Sequence, residues 1–180
     1  MVQSCLTLAW RFRMPVMQPE SPASLVAKLL YRKLGSSVRD YTYVDFCAGG
    51  GGPTPYIERH LNRELAAGGQ GGGEEQQLLN GAAGENTEPV KFVLTDLYPH
   101  IPDWTRAAAK SKNLSFVSEP VDATNAPADL IEGDKKIFRL FNLAFHHFDD
   151  EIASKILKNT LETSDGFAYV LLPFYNKHTY

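Results

Sequence analysis

The sequence predicts an α/β fold, a doubly wound and mainly parallel sheet of about five strands with helices on both faces. Three observations support this prediction. Segments with strand character alternate along the chain with segments that have the period of an amphipathic helix. The strand segments are short and largely apolar, which is typical of strands buried on both faces of a sheet. A run of glycines directly follows the first strand, as in the turns where such sheets bind ligands.

The composition fits one globular domain with a small negative charge. The chain has 180 residues, of which 43% are hydrophobic, and its formal net charge is −3. We therefore expect no nucleic-acid partner, and the lack of about eighteen consecutive apolar residues predicts no membrane span. The two cysteines, Cys5 and Cys47, are too few for a disulfide scaffold and favour a cytoplasmic location. Two arginines and no acid within the first nineteen residues leave mitochondrial import as the alternative.

The first elements are a helix, a strand and a second helix. The first helix is predicted to begin at Ser21, a good N-cap residue, and to end near Gly35. Its apolar face consists of Leu25, Leu29 and Leu30. A strand at Tyr41–Phe46 stops at the glycine run, and the second helix follows with Pro55 in its first turn. The apolar stripe of this helix consists of Ile57, Leu61 and Leu65.

The predicted domain spans residues 21–180 and contains one insertion. Residues 68–88 are mostly Gly, Gln, Glu, Asn and Ala, so they bury too little apolar area to offset the entropy of ordering them. We therefore interpret residues 68–88 as a disordered surface insertion. Residues 1–20 are interpreted as a poorly ordered N-terminal extension.

Two strands and a helix are predicted directly after the insertion. The second strand is Lys91–Leu97, and it ends in an acidic residue and a leucine. A helix at Trp104–Lys112 follows, with Asp103 as its expected cap. The third strand consists of two short pieces, Leu114–Val117 and Glu119–Val121.

The last predicted elements are a strand, a helix and a fifth strand. The fourth strand is Lys136–Phe145. The helix after it begins at Asp149–Glu151, where negative charge favours a helix start, and ends at Gly166. Its apolar stripe consists of Ile152, Ile156, Leu157 and Leu161. The fifth strand is Phe167–Phe174.

Glycines and acidic residues follow the first three strands. Because ligands of doubly wound sheets bind at the carboxyl ends of the strands, these residues are candidates for a binding site. Glycines let the backbone turn sharply and approach a ligand closely. An acid after the second strand can accept both hydroxyls of a ribose, and an acid after the third can accept the exocyclic amine of adenine. The pattern therefore predicts a nucleoside site.

The segment Asp45-Phe46-Cys47-Ala48-Gly49-Gly50-Gly51 resembles the first motif of class I S-adenosylmethionine-dependent methyltransferases, an acid followed by glycines at alternating positions. Cys47 departs from the motif, because it stands where the first glycine is common. Many methyltransferases of this class carry a Phe-His-His segment after the fourth strand, and this chain has Phe145-His146-His147 there. The resemblance covers roughly residues 40–174.

The resemblance implies a Rossmann-like fold, S-adenosylmethionine as cofactor and methyl transfer, which we expect to act on a small-molecule acceptor. It assigns the ribose to Asp96, the adenine to Asp122 and the methionine end to Asp45. It also places Gly49 and Gly51 nearest the cofactor. The cofactor-binding residues that it implies are Asp45, Gly49, Gly50, Gly51, Asp96, Leu97, Asp122 and Ala123.

The same family normally adds two further strands after the fifth. The sequence given ends at Tyr180, immediately after the fifth predicted strand. An unpaired strand edge invites pairing or needs a cover. We therefore expect either that the sequence is a truncated product or fragment, or that a partner covers the exposed sheet edge.

The sequence leaves the catalytic residue open. His146 and His147 are candidate general bases, because an imidazole exchanges protons near neutral pH. The alternative is that one of them packs under the cofactor and the other caps the following helix. No cluster of His and Cys has the spacing of metal ligands, so no metal site is predicted.

The sequence leaves two other functions open. The first is a catalytically inactive, methyltransferase-like binding or scaffold domain. The second is a nicotinamide-dependent oxidoreductase. Against the second, Thr54 stands at the third glycine position of the dinucleotide-binding fingerprint and Pro53 interrupts the turn.

Overall fold

A computed structural model describes residues 20–67, 88–131 and 133–170. The strands are β1 (Tyr41–Asp45), β2 (Phe92–Leu94), β3 (Leu114–Phe116), β4 (Lys136–Asn142) and β5 (Gly166–Val170). The α-helices are α1 (Pro22–Leu34), α2 (Thr54–Ala66), α3 (Ile101–Ala108) and α4 (Asp150–Thr163). Short 3-10 segments are formed by Gly35–Asp40 and Phe145–His147. Nearly all of the predicted N-terminal extension and insertion, and the end of the predicted fifth strand, lie outside the described residues.

The five strands form one sheet in the order β3-β2-β1-β4-β5, and every neighbouring pair is parallel. From β1 the chain moves outward to β3, returns to the other side of β1 for β4, and moves outward again to β5. The order therefore reverses between β1 and β4, where Asp45 lies opposite Leu140. This arrangement confirms the predicted α/β fold, and the reversal creates the crevice at which such sheets bind ligands.

Each face of the sheet carries its own apolar core, because successive side chains of a strand point to opposite faces. Tyr43 belongs to the core on the side of α1, α2 and α3, whereas its neighbour Val44 belongs to the core on the side of α4. The predicted stripe of α2 is confirmed, since all three of its members are buried in the first core. They are Ile57, Leu61 and Leu65.

The predicted apolar face of α1 is largely wrong. Leu25 is 40% exposed and Leu29 is 54% exposed, although Leu30 is buried. Ala23 and Ala27 are fully buried instead. This helix packs against α2, and small side chains at the contact let two helices approach closely.

The predicted apolar face of α4 is also only partly right. Ile156 is buried as predicted, but Asn159 and Thr160 occupy the other inner positions. Arg139 of β4 explains this, because it is 1% exposed and donates to Asn159 Oδ1 at 2.8 Å and to Thr160 Oγ1 at 3.4 Å. The members of the predicted stripe that are exposed are Ile152 and Leu161.

For α1 and α4 the residue expected at the start of the helix caps it, and for α3 it does not. Ser21 caps α1 by accepting a hydrogen bond from Ser24 N, and Asp149 caps α4 by accepting one from Ile152 N. The predicted cap of α3 is wrong, since α3 begins at Ile101 and Asp103 lies within its first turn. Among the helices of the described ranges, none is long and apolar enough to cross a membrane.

Several strand boundaries differ from the predicted ones. Residues 119–121 are not a strand, so β3 is a single short piece. β4 ends at Asn142 rather than Phe145, because Leu143 has a left-handed backbone with φ of 60°. Gly166 begins β5 instead of ending the preceding helix. On β5, every second side chain is exposed, as suits a strand at the edge of the sheet.

Candidate functional site at the carboxyl edge of the sheet

The loop after β1 is a sequence of tight turns, and this explains its glycines. Gly49, Gly51 and Gly52 have φ angles of 52°, 95° and 46°, which side chains disfavour. The loop is fixed to β2 by a 3.0 Å hydrogen bond from Ala48 N to Thr95 O. A second bond, 2.8 Å from Gly51 N to Ala48 O, closes the turn. The run of glycines is therefore an ordered loop at the end of a buried strand.

Two residues other than glycine also have left-handed backbones. Cys47 has a φ of 59° and Leu143 a φ of 60°. They follow β1 and β4, the two strands that flank the reversal of strand order. Such conformations cost energy and cluster at functional sites in proteins. A φ of this sign is adopted most easily by glycine, so the backbone at Cys47 would suit a glycine as well.

Asp96 lies directly beside the glycine loop. Its Oδ2 accepts a hydrogen bond from Gly49 N at 2.8 Å, and its Oδ1 accepts one from Tyr98 N at 2.9 Å. Each oxygen retains a second lone pair, and the side chain is only partly buried. The structure thus brings Asp96 and Gly49 together as the sequence predicts, and the carboxylate has capacity for further hydroxyl donors.

Asp45 has a different environment from the one that the sequence suggests. It is 1% exposed, and its Oδ2 accepts a hydrogen bond from the Thr54 hydroxyl. Its Oδ1 accepts one from Asn142 Nδ2 at 3.1 Å, and the same amide donates to Thr54 Oγ1 at 2.9 Å. Burial raises the pKa of Asp45 to about 7, against the lowering effect of these hydrogen bonds. Both oxygens face protein partners, so Asp45 acts here by fixing α2 and β4 beneath the loop.

Thr54 and Asn142 were not predicted as site residues. Thr54 starts α2, and from the sequence it is only a departure from the dinucleotide fingerprint. Asn142 ends β4, where it is a polar interruption of an apolar run. The signal that could have identified Asn142 is its place at the end of a buried strand next to β1. Asn142 Oδ1 is buried and has no hydrogen-bond partner among the described residues.

The residues after β3 lie next to Asp96 as well. Val121 N donates to Asp96 O at 2.9 Å, which fixes the start of this loop. Asp122 is exposed, and its Oδ1 accepts hydrogen bonds from Thr124 N at 2.8 Å and Thr124 Oγ1 at 2.7 Å. Ala123 is buried in the core on the α4 side, so only its backbone is suited to contact a ligand. After β2, Leu97 is 46% exposed and offers an apolar surface.

Three acids at this edge of the sheet act electrostatically on Cys47. Burial, and then the charges of Asp96, Asp45 and Asp122 in that order, raise the pKa of its thiol to about 12. A thiol of this kind is protonated at neutral pH, so Cys47 is not an activated nucleophile. The same observation shows that the carboxyl edge carries negative charge.

Trp104 of α3 supports the loop from behind. It is fully buried, and its Nε1 donates to Gly49 O at 2.8 Å. A side chain at Gly51 would point at Leu94, Trp104 and Pro55, with contacts from 3.6 Å. A side chain at Gly51 would therefore point into the packed interior. The expectation that Gly51 lies near the cofactor stays a prediction. Gly50 lines a cleft on the side of α3.

His146 and His147 lie in the 3-10 segment after β4, and both side chains are exposed. Their ring centroids are 3.8 Å apart. Burial, and then the neighbouring His147, lower the pKa of His146. His146 is therefore uncharged at neutral pH, as a proton acceptor must be. In the part of the chain that the structure describes, no group of three acidic, His or Cys side chains is arranged to hold a metal ion.

The function has to be argued from this geometry. Neither a model of a known protein family nor a curated protein matches the chain.

Proposed function

We propose that this protein binds S-adenosylmethionine at the carboxyl edge of its sheet and transfers the methyl group to a small-molecule acceptor. The observation that carries the proposal is the 2.8 Å hydrogen bond between Gly49 N and Asp96 Oδ2. It joins the loop after β1 to the acid after β2, beside the reversal of strand order. In sheets of this kind the nucleoside lies across these two loops.

The surroundings of Asp96 suit an adenosyl group. The free lone pairs of its carboxylate are available to ribose hydroxyls, which are neutral donors. Leu97 presents an apolar side chain beside it, on which an adenine ring can pack. Asp122 is exposed on the adjoining loop and can accept the adenine amine.

The charge at the edge favours a cationic ligand over a dinucleotide. The charges of Asp96 and Asp122 raise the pKa of the Cys47 thiol, so the loop lies in a negative field even where Asp45 is protonated. S-adenosylmethionine carries a sulfonium and an ammonium group against one carboxylate, whereas nicotinamide dinucleotides carry a pyrophosphate. Like charges at close range are costly to bring together. We therefore favour methyl transfer over hydride transfer.

The reaction asks little acid–base chemistry of the chain. When bound, S-adenosylmethionine would supply a methyl group attached to a positively charged sulfur, and the sulfur would become a neutral thioether when the methyl group is transferred. The residues around the loop have to hold the acceptor in line with that methyl group and exclude water. His146 is uncharged at neutral pH and follows β4 at the same edge, so it is our candidate to accept the proton that the acceptor releases.

Calorimetric titration with S-adenosylmethionine and S-adenosylhomocysteine tests the proposal. We expect micromolar binding by the native chain. Asp96→Ala removes a charged acceptor, which is worth about 1.5–3 kcal/mol, so affinity should fall about 10- to 100-fold. Asp96→Asn retains an acceptor for Gly49 N and should show a smaller loss. Glu162→Ala, an exposed acid in the last turn of α4, is the matched control and should bind normally.

Each contrary result has a definite meaning. Failure of the native chain to bind either ligand would refute the proposal. Binding of a nicotinamide dinucleotide instead would indicate an oxidoreductase. Binding without transfer of labelled methyl groups to any fraction of a small-metabolite extract would favour the inactive, methyltransferase-like domain.

A further inference from the structure

A second concave surface lies on the outer side of the glycine loop, between α2 and α3. Its volume is about 150 Å³. The residues that define it are Gly50, Gly52, Tyr56, Arg59, Arg106 and Lys110. Gly49 contacts Asp96 through its N–H, whereas Gly50 and Gly52 line this cleft. The cleft and the proposed cofactor site therefore lie along the same loop. Apart from Gly50, which the resemblance also assigns to the cofactor, they are lined by different residues.

The cleft carries an excess of positive charge. Arg59 of α2, Arg106 of α3 and Lys110, two residues after α3, line it. The acid that lines it, Asp103, is paired with Arg106. The chain as a whole has a formal charge of −3. A cluster of this sign in a chain of opposite net charge is a local feature, since composition does not account for it.

Two contacts within α2 hold the side chain of Arg59 in place before any ligand binds. Its Nε donates to Pro55 O at 3.1 Å, and its guanidinium carbon lies 5.2 Å from the centroid of the Tyr56 ring. A fixed guanidinium loses less entropy when it binds an anion than a mobile one does. The first turn of α2 contains no acidic residue, so the positive end of the helix dipole adds to the field.

We propose that this cleft binds a phosphate-type oxyanion. A volume of about 150 Å³ leaves room for one phosphate group. Arginines and a lysine provide the charged donors that oxyanions prefer. This inference goes beyond the proposed function and does not depend on it, because Asp96, Leu97 and Asp122 are not among the residues that line the cleft.

Titration of the full chain with sodium phosphate and with pyrophosphate tests the inference, followed by nuclear magnetic resonance and calorimetry. Sodium chloride at matched ionic strength serves as the reference. The test variant is Arg59→Gln with Lys110→Gln, and the matched control is Lys155→Gln with Lys158→Gln, two exposed lysines of α4. We expect saturable binding with shifts at Gly50, Gly52 and Arg106. Affinity should fall at least fivefold in the test variant and stay within twofold in the control.

The inference is overturned if phosphate binds no better than chloride, or if both double variants weaken binding equally, because that would indicate net charge alone. Thermal melting of the variants checks that each is folded, and the single changes Arg59→Gln and Lys110→Gln replace the double variant if it is not. S-adenosylhomocysteine binding, measured on the same samples, should be unchanged by the cleft substitutions. The two sites can therefore fail independently.

Discussion

The carboxylate of Asp45 is the most deeply buried of the three acids at the carboxyl edge. Removing a charge from water is costly, and this cost outweighs the hydrogen bonds from Thr54 and Asn142 that favour the charged form. The unpartnered Asn142 Oδ1 is compatible with a protonated acid, because a turn of the amide would offer that oxygen to the proton. Asp45 therefore links the packing beneath the loop to pH.

Asp45→Asn is expected to change how stability depends on pH. The pKa of Asp45 rises from an ordinary value of 3.8 to about 7 in the folded chain. Between these values the folded state holds more protons than the unfolded state, so the contribution of Asp45 to the free energy of unfolding falls as pH rises from about 4 to about 7. The full effect is about 4 kcal/mol. The variant lacks this loss, and urea unfolding from pH 4 to pH 8 measures it.

The quantity to compare is the free energy of unfolding of the variant minus that of the native chain at each pH. It should grow with pH up to about 7 and then level off. The exposed Glu162→Gln serves as the control for an acid that stays in water. A difference that does not change between pH 5 and pH 8 would show that Asp45 is already ionised in the folded chain.

The sequence patterns predicted which segments form helices better than they predicted which side of each helix is buried. The stripe of α2 was predicted correctly because the helix faces the sheet with large side chains such as Ile57 and Leu61. On α1 the buried residues include two alanines, and the helix packs against α2. Periodicity does not tell which neighbour a helix will meet. On α4 the polar inner residues depend on Arg139, a partner on a strand that is distant in sequence. Tertiary contacts decided both faces.

The candidate site could also be predicted only in part from the sequence. The acids and glycines could be predicted because each follows a strand directly, and parallel strands end at the same edge. The buried contacts beneath the loop could not, because Asn142 reaches Asp45 across 97 residues of sequence and Trp104 reaches Gly49 across 55. The direction in which Gly51 faces also depends on packing. Local patterns therefore predict which loops form the site, and long-range contacts determine how each residue is used.

The contact between α3 and the glycine loop can be tested with Trp104→Phe. Phenylalanine fills most of the same space but lacks the N–H that binds Gly49 O. Loss of this bond should lower the free energy of unfolding by about 1–2 kcal/mol and weaken S-adenosylhomocysteine binding, since the loop loses its support. Trp10→Phe is the matched control, because the chain has two tryptophans.

In the control variant Trp104 is the remaining tryptophan, so its fluorescence reports on the loop. Binding at the carboxyl edge should change that fluorescence. An affinity equal to that of the native chain in Trp104→Phe would show that α3 does not position the loop.

The two ends of the molecule differ in the chemistry they expose. At the carboxyl edge the loops after β1, β2 and β3 carry acids and left-handed residues. Near the opposite edge, polar side chains contact the backbone before β2. Asn62 accepts from Val90 N at 2.8 Å and donates to Val90 O at 3.1 Å, and Glu58 accepts from Asn62 at 2.8 Å. These contacts tie α2 to the start of a strand and thereby stabilise the fold.

Hydrogen exchange with and without S-adenosylhomocysteine should therefore separate the two edges. A ligand present at 100 times its dissociation constant stabilises the bound form by about 2.7 kcal/mol, which slows exchange through local opening by about 100-fold. We expect this slowing at the amides of Gly49, Tyr98 and Val121, whose acceptors all belong to Asp96. The amide of Val90 should change much less, because local opening at the opposite edge does not involve the site. Equal slowing at both edges would indicate that these amides exchange only when the whole domain unfolds, and slowing confined to Val90 would place the ligand at the wrong edge.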